Sequence, residues 1–491
     1  MIWMAPSLVS RKRSADAEHA QRLAAVLVFI AAVSTAIASL GAPLLPTIAT
    51  TDHVSIAGSQ WALTISLLTG AVATPVLGRL GDGSHRRTTI LATLAAVAAG
   101  CGLSAAPLGF AGLLTGRALQ GLGLGLVPLA SSVARDDLPA GHSRRTIVVL
   151  GLTTAAGVGL GYPLAGLLAQ YLGLSAPFTA GAILSGICLL VAVFVLPPSP
   201  RRRAHLDPVG AVLLAVGVAA VLIAVSQGPG WGWGSWRVIA AAGIALVALP
   251  AWAASELRTS TPLVQLRILQ QRSVLAANLT GVLVALGFYP FMSLVVRFVQ
   301  TPPGAGYGFG ASTVLAAMML TPFSVASVVA KRPAIALAKR TSPDWAITAS
   351  ILLIAAGQLL FLVTHSGYSA VIAAMSLTGL GVGAVFAINP IQIVDGVPSH
   401  HTGSAISFYQ LLRTVGYAIA SALSATVLVA SIHPGRNLPT NGGYGAALVV
   451  DLAILAAALL TSSLLALRQP RRIEQPNVRG AAATSRTSAQ L

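Results

Sequence analysis

Charge is scarce in this chain. Only 9% of its 491 residues are Asp, Glu, Lys or Arg, and only 12 are acidic. A water-soluble domain carries about a quarter charged residues, so a soluble fold is excluded. Cysteine is scarcer still: Cys101 and Cys188 are the only two, both inside apolar runs. That excludes a disulfide framework and leaves them as small apolar filler. Of the 30 basic residues only Lys12, Lys331 and Lys339 are lysines, and none completes the G-K-[ST] of a phosphate-binding loop. What abounds is apolar: 55% of residues are hydrophobic and the mean hydropathy is +0.81. Disordered and collagen-like classes fall away with that composition.

A bilayer core of about 30 Å takes about 20 apolar residues of helix per crossing. Fourteen stretches qualify: 23–46, 57–78, 88–107, 109–134, 146–171, 175–196, 208–226, 237–254, 273–299, 312–330, 345–364, 370–394, 403–431 and 445–467. Their apolar runs are continuous rather than alternating, so they predict helices and not a barrel. Placing the N-terminus in the cytoplasm puts 25 of the Lys and Arg residues on that side and three, Arg237, Arg297 and Arg436, on the other. Arg117 and Arg413 fall within helices. This asymmetry is a positive-inside pattern, so the net charge of +18 reports topology and calls for no nucleic-acid partner. Both termini are expected in the cytoplasm of a multi-pass plasma-membrane protein.

The stretches group as six, two and six. The sequence predicts an N-terminal segment at 1–22, a six-helix bundle at 23–207, two inserted helices at 208–271, a second six-helix bundle at 272–467 and a disordered tail at 468–491. The Gly228–Trp236 loop between the inserted helices carries Trp231, Trp233 and Trp236, which suit a membrane–water interface. Two related halves are a recurrent transporter plan, with the substrate site between them near the midplane.

Three motifs lie in the first half. The loop after the second stretch contains Gly78, Leu80, Asp82, Arg86 and Arg87; Gly83 and His85 stand beside them. The fourth stretch contains Gly116, Arg117, Gln120 and Gly121, and a charge inside a membrane costs about 2.5 kcal/mol or more. The fifth contains Gly157, Gly161, Pro163 and Gly166, where small residues allow close helix approach and proline bends the span. Read blandly, these are a basic loop, a helix pin bonded to neighbouring carbonyls, and packing glycines.

Together they resemble the signature loop, the buried-arginine motif and the antiporter motif of the major facilitator superfamily. The six-two-six plan is similar to its fourteen-spanner drug:proton antiporter branch. The resemblance implies an all-α integral membrane protein with the major facilitator fold: two six-helix bundles plus two extra central helices. It also implies a conformational-switch loop at Gly78, Asp82, Arg86 and Arg87, with Asp82 capping a helix terminus and the arginines meeting carbonyls and lipid phosphates. Arg117, with Gln120 and Gly121, is implied in proton coupling.

A proton gradient is the expected energy source, with no cofactor, no metal and no catalytic residues. Yet among the 12 acids only Asp451 falls well inside a stretch, so it is a proton-site candidate beside the alternative of a solvated acid at the membrane edge. The deep charge balance is positive, which points to neutral or anionic amphiphiles drawn to Arg117 or Arg413. Ser34, Thr35 and Ser39 in the first half and Asn278, Tyr289, Asn389, Gln392, Gln410 and Arg413 in the second are expected to line the cavity. The expected activity is export of small amphiphilic molecules by a monomer in contact with membrane lipid. Uptake of a metabolite is an alternative reading. So is a lipid-modifying enzyme built around His400 and His401, although their spacing fits no metal motif.

Overall fold

A computed structural model of the chain describes residues 5–54, 56–59, 61–199, 207–259, 262–364, 367–398, 401–433 and 438–467. The tail at 468–491, the Arg201–Arg203 loop, His400 and Arg436 lie outside them. The described residues form helices and short connections, with no strand among them. Twelve helices are long and apolar enough to cross a membrane, and a bent pair raises the number to thirteen. The 33-residue α8 (Ala140–Leu172) occupies the fifth expected stretch, so each of the fourteen falls on helix.

The expected first span is not one rod. α1 (Ala5–Ser39) starts earlier than expected, running through a segment rich in helix-forming Ala, Arg, Glu and Gln, and then stops. α2 (Gly41–Thr51) follows after a turn at Leu40. Pro43 explains the break, because it lacks the N–H that would bond to the carbonyl of Ser39 four residues back. α3 (Ile56–Ser59) and α4 (Trp61–Gly81) complete this hairpin, and α5 (Arg86–Ala105) returns from it. The fourth span joins α6 (Gly109–Gly121) to α7 (Leu126–Asp137) through a 3-10 turn at Leu122–Gly125, where Pro128 cannot donate to the carbonyl of Leu124. After α8 comes α9 (Ser175–Val195).

The inserted pair, α10 (Pro208–Trp231) and α11 (Trp236–Arg258), forms a hairpin lying against α4 and a helix near the C-terminus, α19 (Thr402–Ala430). Trp233 Nε1 donates to Thr426 Oγ1 of α19 at 3.1 Å. The short α12 (Leu266–Leu269) leads into α13 (Arg272–Gln300). The tenth span departs most from expectation. It is split into α14 (Thr313–Met318) and α15 (Thr321–Val329), and the basic α16 (Lys331–Arg340) continues beyond it after a 40° bend. Pro322 and Pro333 remove the N–H groups that would carry one helix through. α17 (Pro343–Val363), α18 (Tyr368–Gly396) and α20 (Asn441–Leu467) complete the chain.

Large apolar side chains stand exposed on the outside, among them Phe194, Leu190 and Leu246. A soluble protein does not expose apolar surface on this scale, whereas a lipid-facing one does. Between helices, small residues allow close contact. An added Cβ on Gly379 would meet the backbone of Phe323 at 2.8 Å, and one on Gly383 that of Ser327 at 2.5 Å, so α18 lies directly on α15.

Candidate functional site

The end of the molecule carrying the arginine-rich turns is closed by contacts centred on one small loop. α4 stops at Gly81 and α5 starts at Arg86, leaving Asp82 buried in the turn between them. Its Oδ1 accepts from the backbone N–H of Gly403 at 2.8 Å and from Ser132 Oγ at 3.1 Å; Oδ2 accepts from the N–H of Ser404 at 3.0 Å. Gly403 and Ser404 open α19, whose first N–H groups have no partner within the helix and carry its positive dipole end. Asp82 therefore caps a helix of the other six-helix group, 321 residues away along the chain. Two glycines make the approach possible. A Cβ on Gly78 would lie 2.9 Å from the carbonyl of Gly403, and one on Gly403 would lie 2.7 Å from that of Gly78 and 2.6 Å from Asp82 Oδ1.

Arg86 does something other than expected. Instead of backbone carbonyls it binds Asp136 at 2.9 Å and Asp137 at 2.5 Å, with its own side chain 2% exposed. Those acids end α7, where the negative dipole end and two carboxylates need a cation. They are the chain's only adjacent acids, which was the signal to find them by. Arg87 does reach a carbonyl, donating to Val193 O at 2.6 Å, and its N–H donates to Ser199 Oγ at 2.9 Å. Two more contacts join the halves at this end: Arg135 donates to Val394 O at 2.7 Å, and an exposed Arg144–Asp395 pair lies at 3.0 Å. The exposed pair adds little.

Burial pushes the Asp82 carboxyl up from the usual 3.8 to about 6, against the pull of its hydrogen bonds to Gly403, Ser404 and Ser132. Were the two groups to part, the carboxyl would be hydrated and its ordinary value would return. The sealed state thus holds a proton more readily. Its advantage is complete below about pH 4 and is lost as pH rises through about 6, by up to tenfold per unit. A cysteine placed at Ser407, beneath Gly78, loses thiolate as pH falls in either state, so its alkylation is read as a ratio to that of free cysteine at the same pH. That ratio should fall with pH across this window, and in Asp82→Asn it should stay flat.

Arg117 lies at the other end of the first group, with none of its surface exposed. Its Nε donates to Ala62 O at 3.0 Å, Nη1 to Ile37 O at 3.3 Å and Gln120 Oε1 at 2.6 Å, and Nη2 to Ala38 O at 3.3 Å. Ile37 and Ala38 belong to the last turn of α1, so the guanidinium binds carbonyls at the break, that of Ile37 also accepting from the Leu40 N–H at 3.2 Å. Gly41 leaves room for it, since a Cβ there would sit 2.8 Å from Nη2. Four of the five N–H groups are committed, which leaves little for an anion. Gln120 in turn donates to Gly100 O and Ser104 Oγ, while Gly121 allows α6 to press on Ser66 of α4.

The glycines of α8 meet α1. A Cβ on Gly157 would lie 2.7 Å from the Thr35 side chain, and one on Gly161 3.1 Å from Ala36 O and 3.2 Å from Ser39 Cβ. Pro163 sits inside the helix, and Gly166 has open space beside it. Ser34, Thr35 and Ser39 donate to carbonyls of their own helix at 2.7, 2.6 and 2.9 Å. They are buried and offer no free hydroxyl hydrogen to a cavity.

In the second group, three of the residues expected to line a cavity come together. Arg413 is buried, its guanidinium carbon 3.6 Å from the centre of the Phe386 ring. Its Nη2 and Nε donate to the Tyr417 hydroxyl at 2.6 and 3.1 Å, and Nη1 to Gln410 Oε1 at 3.3 Å. Tyr417 stacks on Tyr289 at 4.5 Å between centroids, and Tyr162 of α8 lies beside Tyr289. Tyr162, Tyr289, Gln410 and Tyr417 all keep part of their surface accessible. The cluster therefore spans both groups near mid-height, with a cation at its base bound by neutral oxygens. Tyr162, Tyr417 and Phe386 escaped sequence reasoning, because nothing in a lone aromatic in an apolar run marks its neighbours.

The remaining polar residues are held within the second group. Asn278 donates to Val274 O at 2.9 Å, Asn389 to Ala277 O at 3.0 Å, and Gln392 to Asp344 Oδ1 at 2.9 Å. Asp451 is 2% exposed, which excludes the solvated-edge alternative.

Two helical groups clamped at one end by an acid-to-helix cap, with a cationic aromatic cluster shared between them, form a membrane transporter for small molecules. The chain belongs to the Major Facilitator Superfamily, whose pattern matches residues 27–421 and again 277–489. It is 28% identical over 424 residues to the tetracenomycin C resistance and export protein of Streptomyces glaucescens, covering 82% of this chain and 76% of that one. It is 26% identical over 447 residues to the multidrug efflux pump LfrA of Mycolicibacterium smegmatis, covering 85% of each. Among solved structures, the human organic anion transporter MFSD10 (TETRAN) superposes with a TM-score of 0.62 at 15% identity, over 90% of this chain and 99% of that one. These relatives are transporters, and the enzyme reading is set aside.

Proposed function

We propose that this chain exports neutral or anionic aromatic amphiphiles from the cytoplasm across the plasma membrane, as a monomer with both termini inside. The observation that carries the reading is the Arg413 cluster. A buried guanidinium held by Tyr417 and Gln410, with no carboxylate in its hydrogen-bonded shell, keeps its positive charge for an incoming anion. The rings of Tyr162, Tyr289 and Tyr417 offer flat faces to an aromatic body. Export and resistance in the names of the relatives support the direction, and the 25-to-3 basic asymmetry supports the orientation. The energy source in this reading is a proton gradient. α16, with basic residues at both ends of an apolar stretch, suits the lipid headgroup layer.

Purified protein in liposomes under an imposed pH gradient tests this, with a panel of cationic, neutral and anionic aromatic dyes. Anionic and neutral dyes should move and cations should lag. Arg413→Gln should lower flux of the anions about tenfold or more while sparing neutral dyes. Preferential flux of cations, unaffected by Arg413→Gln, would reject the reading.

A further inference from the structure

Asp451 is the one acid among the described residues deep inside a long span. Asp82 sits in a turn, Asp136 and Asp137 end α7, Asp207 caps α10, Asp344 lies in the first turn of α17, and Glu256 and Asp395 lie in last turns. Asp451 is the eleventh residue of the 27-residue α20, about 15 Å along its axis. It faces the interior against α13 and α17. Its Oδ2 is buried and has no hydrogen-bond partner.

The surroundings supply no cation. α20 packs on α13, α17 and α19, whose titratable groups are Arg272, Tyr289 and Arg297; Asp344; and Tyr409, Arg413 and Tyr417. None of these, nor Tyr444 on α20 itself, exerts a charge or hydrogen bond on Asp451. An amide on the same turn of α13 is equally underemployed. Gln358 of α17 is fully buried and donates to Gly287 O at 2.6 Å, while its Oε1 is unpartnered. The same turn of α13 meets α20, since a Cβ on Gly287 would lie 3.3 Å from Asp451 O and 2.7 Å from Leu455. One turn of α13 is therefore met by the backbone of Asp451 from α20 and by the Gln358 amide from α17, and each of these two side chains has an acceptor that lacks a donor.

Unpaired buried acceptors are costly, and a proton on one of two oxygens turns that oxygen into the missing donor. We propose that Asp451, on the turn of α20 that meets Gly287, is the group that takes up and releases the coupling proton. This rests on the proton-driven reading above and assigns it a residue in the second six-helix group, away from the Arg413 cluster. The step moves a proton only: the carboxylate gains one from water and returns it on the other side of the cycle.

The test uses full-length wild type, Asp451→Asn and Asp451→Glu in liposomes, with fluorescein as the anionic probe. Two rates are read: exchange of fluorescein at equal pH on both sides, and net flux under an imposed pH gradient. Wild type should be accelerated by the gradient. Asp451→Asn should continue exchange yet lose at least tenfold of that acceleration, and Asp451→Glu should regain part of it. Asp451→Asn driven as strongly as wild type overturns the assignment and leaves the export reading standing. Wild type that exchanges but ignores the gradient overturns both the assignment and the proton coupling, whereas wild type with no flux of any dye overturns the export reading itself. Should Asp451→Asn not fold, Asp451→Glu decides alone: a displaced pH dependence of net flux supports the assignment and an unchanged one overturns it.

Discussion

Replacing Gly403 by alanine is expected to hold the basic end open and to reduce gradient-driven flux at least tenfold. The new methyl would lie 2.7 Å from the carbonyl of Gly78, which is backbone and cannot turn aside, and 2.6 Å from Asp82 Oδ1. Either α19 moves away or Asp82 abandons its N–H partners. Each backbone donor left unmet costs about 1–3 kcal/mol, so the sealed state loses on the order of 3 kcal/mol, roughly a 100-fold change in its ratio to the open one. Unlike a change at Asp82, this substitution removes no charge and leaves the loop chemistry intact. Flux in liposomes and alkylation of a cysteine at Ser407 check it together, with faster labelling accompanying slower flux. Normal labelling with slow flux would place the defect elsewhere.

Arg117→Ala is expected to lower stability rather than alter selectivity. The guanidinium joins Ile37 and Ala38 of α1 to Ala62 of α4. Without it, carbonyls at the break and the Gln120 Oε1 lose donors in a region that water does not reach. Losing several such bonds costs on the order of 3 kcal/mol or more. The measured outcome is a melting temperature several degrees lower in detergent, with flux of neutral and anionic dyes reduced alike. Arg117→Lys should rescue only part, because an ammonium cannot span three carbonyls as a planar fork does. A variant of normal stability that had lost anions alone would return Arg117 to the role of an anion site.

The two cases mark what a sequence can carry. The spans were legible because lipid tolerates only helices of a set length, and the basic turns because their charge is confined to one face. The Asp82 loop stood out as a spaced set of glycine, acid and arginine. Its partner did not, because an N–H at the start of a helix 321 residues away has no residue signature. The same holds for Arg117, whose acceptors are carbonyls of Ile37, Ala38 and Ala62, alike in every sequence. The break at Leu40 was hidden because Pro43 and Pro46 sit in a run apolar enough to pass as one span. Tyr162, Tyr289 and Tyr417 lie on three helices of two groups, so only the folded arrangement assembles them. Asp451 was visible by isolation alone, and its burial needed the structure.

The central claim is that the two six-helix groups part and rejoin at the basic end about the Asp82 cap. Distances between spin labels at positions 144 and 395 test it, since these residues sit on opposite groups and their native side chains meet at 3.0 Å when the end is sealed. The wild-type protein in liposomes should give two populations, a short distance and a longer one, with the short one gaining weight as pH falls from about 6 toward 4. One unchanging short distance, at every pH and with or without a transported dye, would contradict the account.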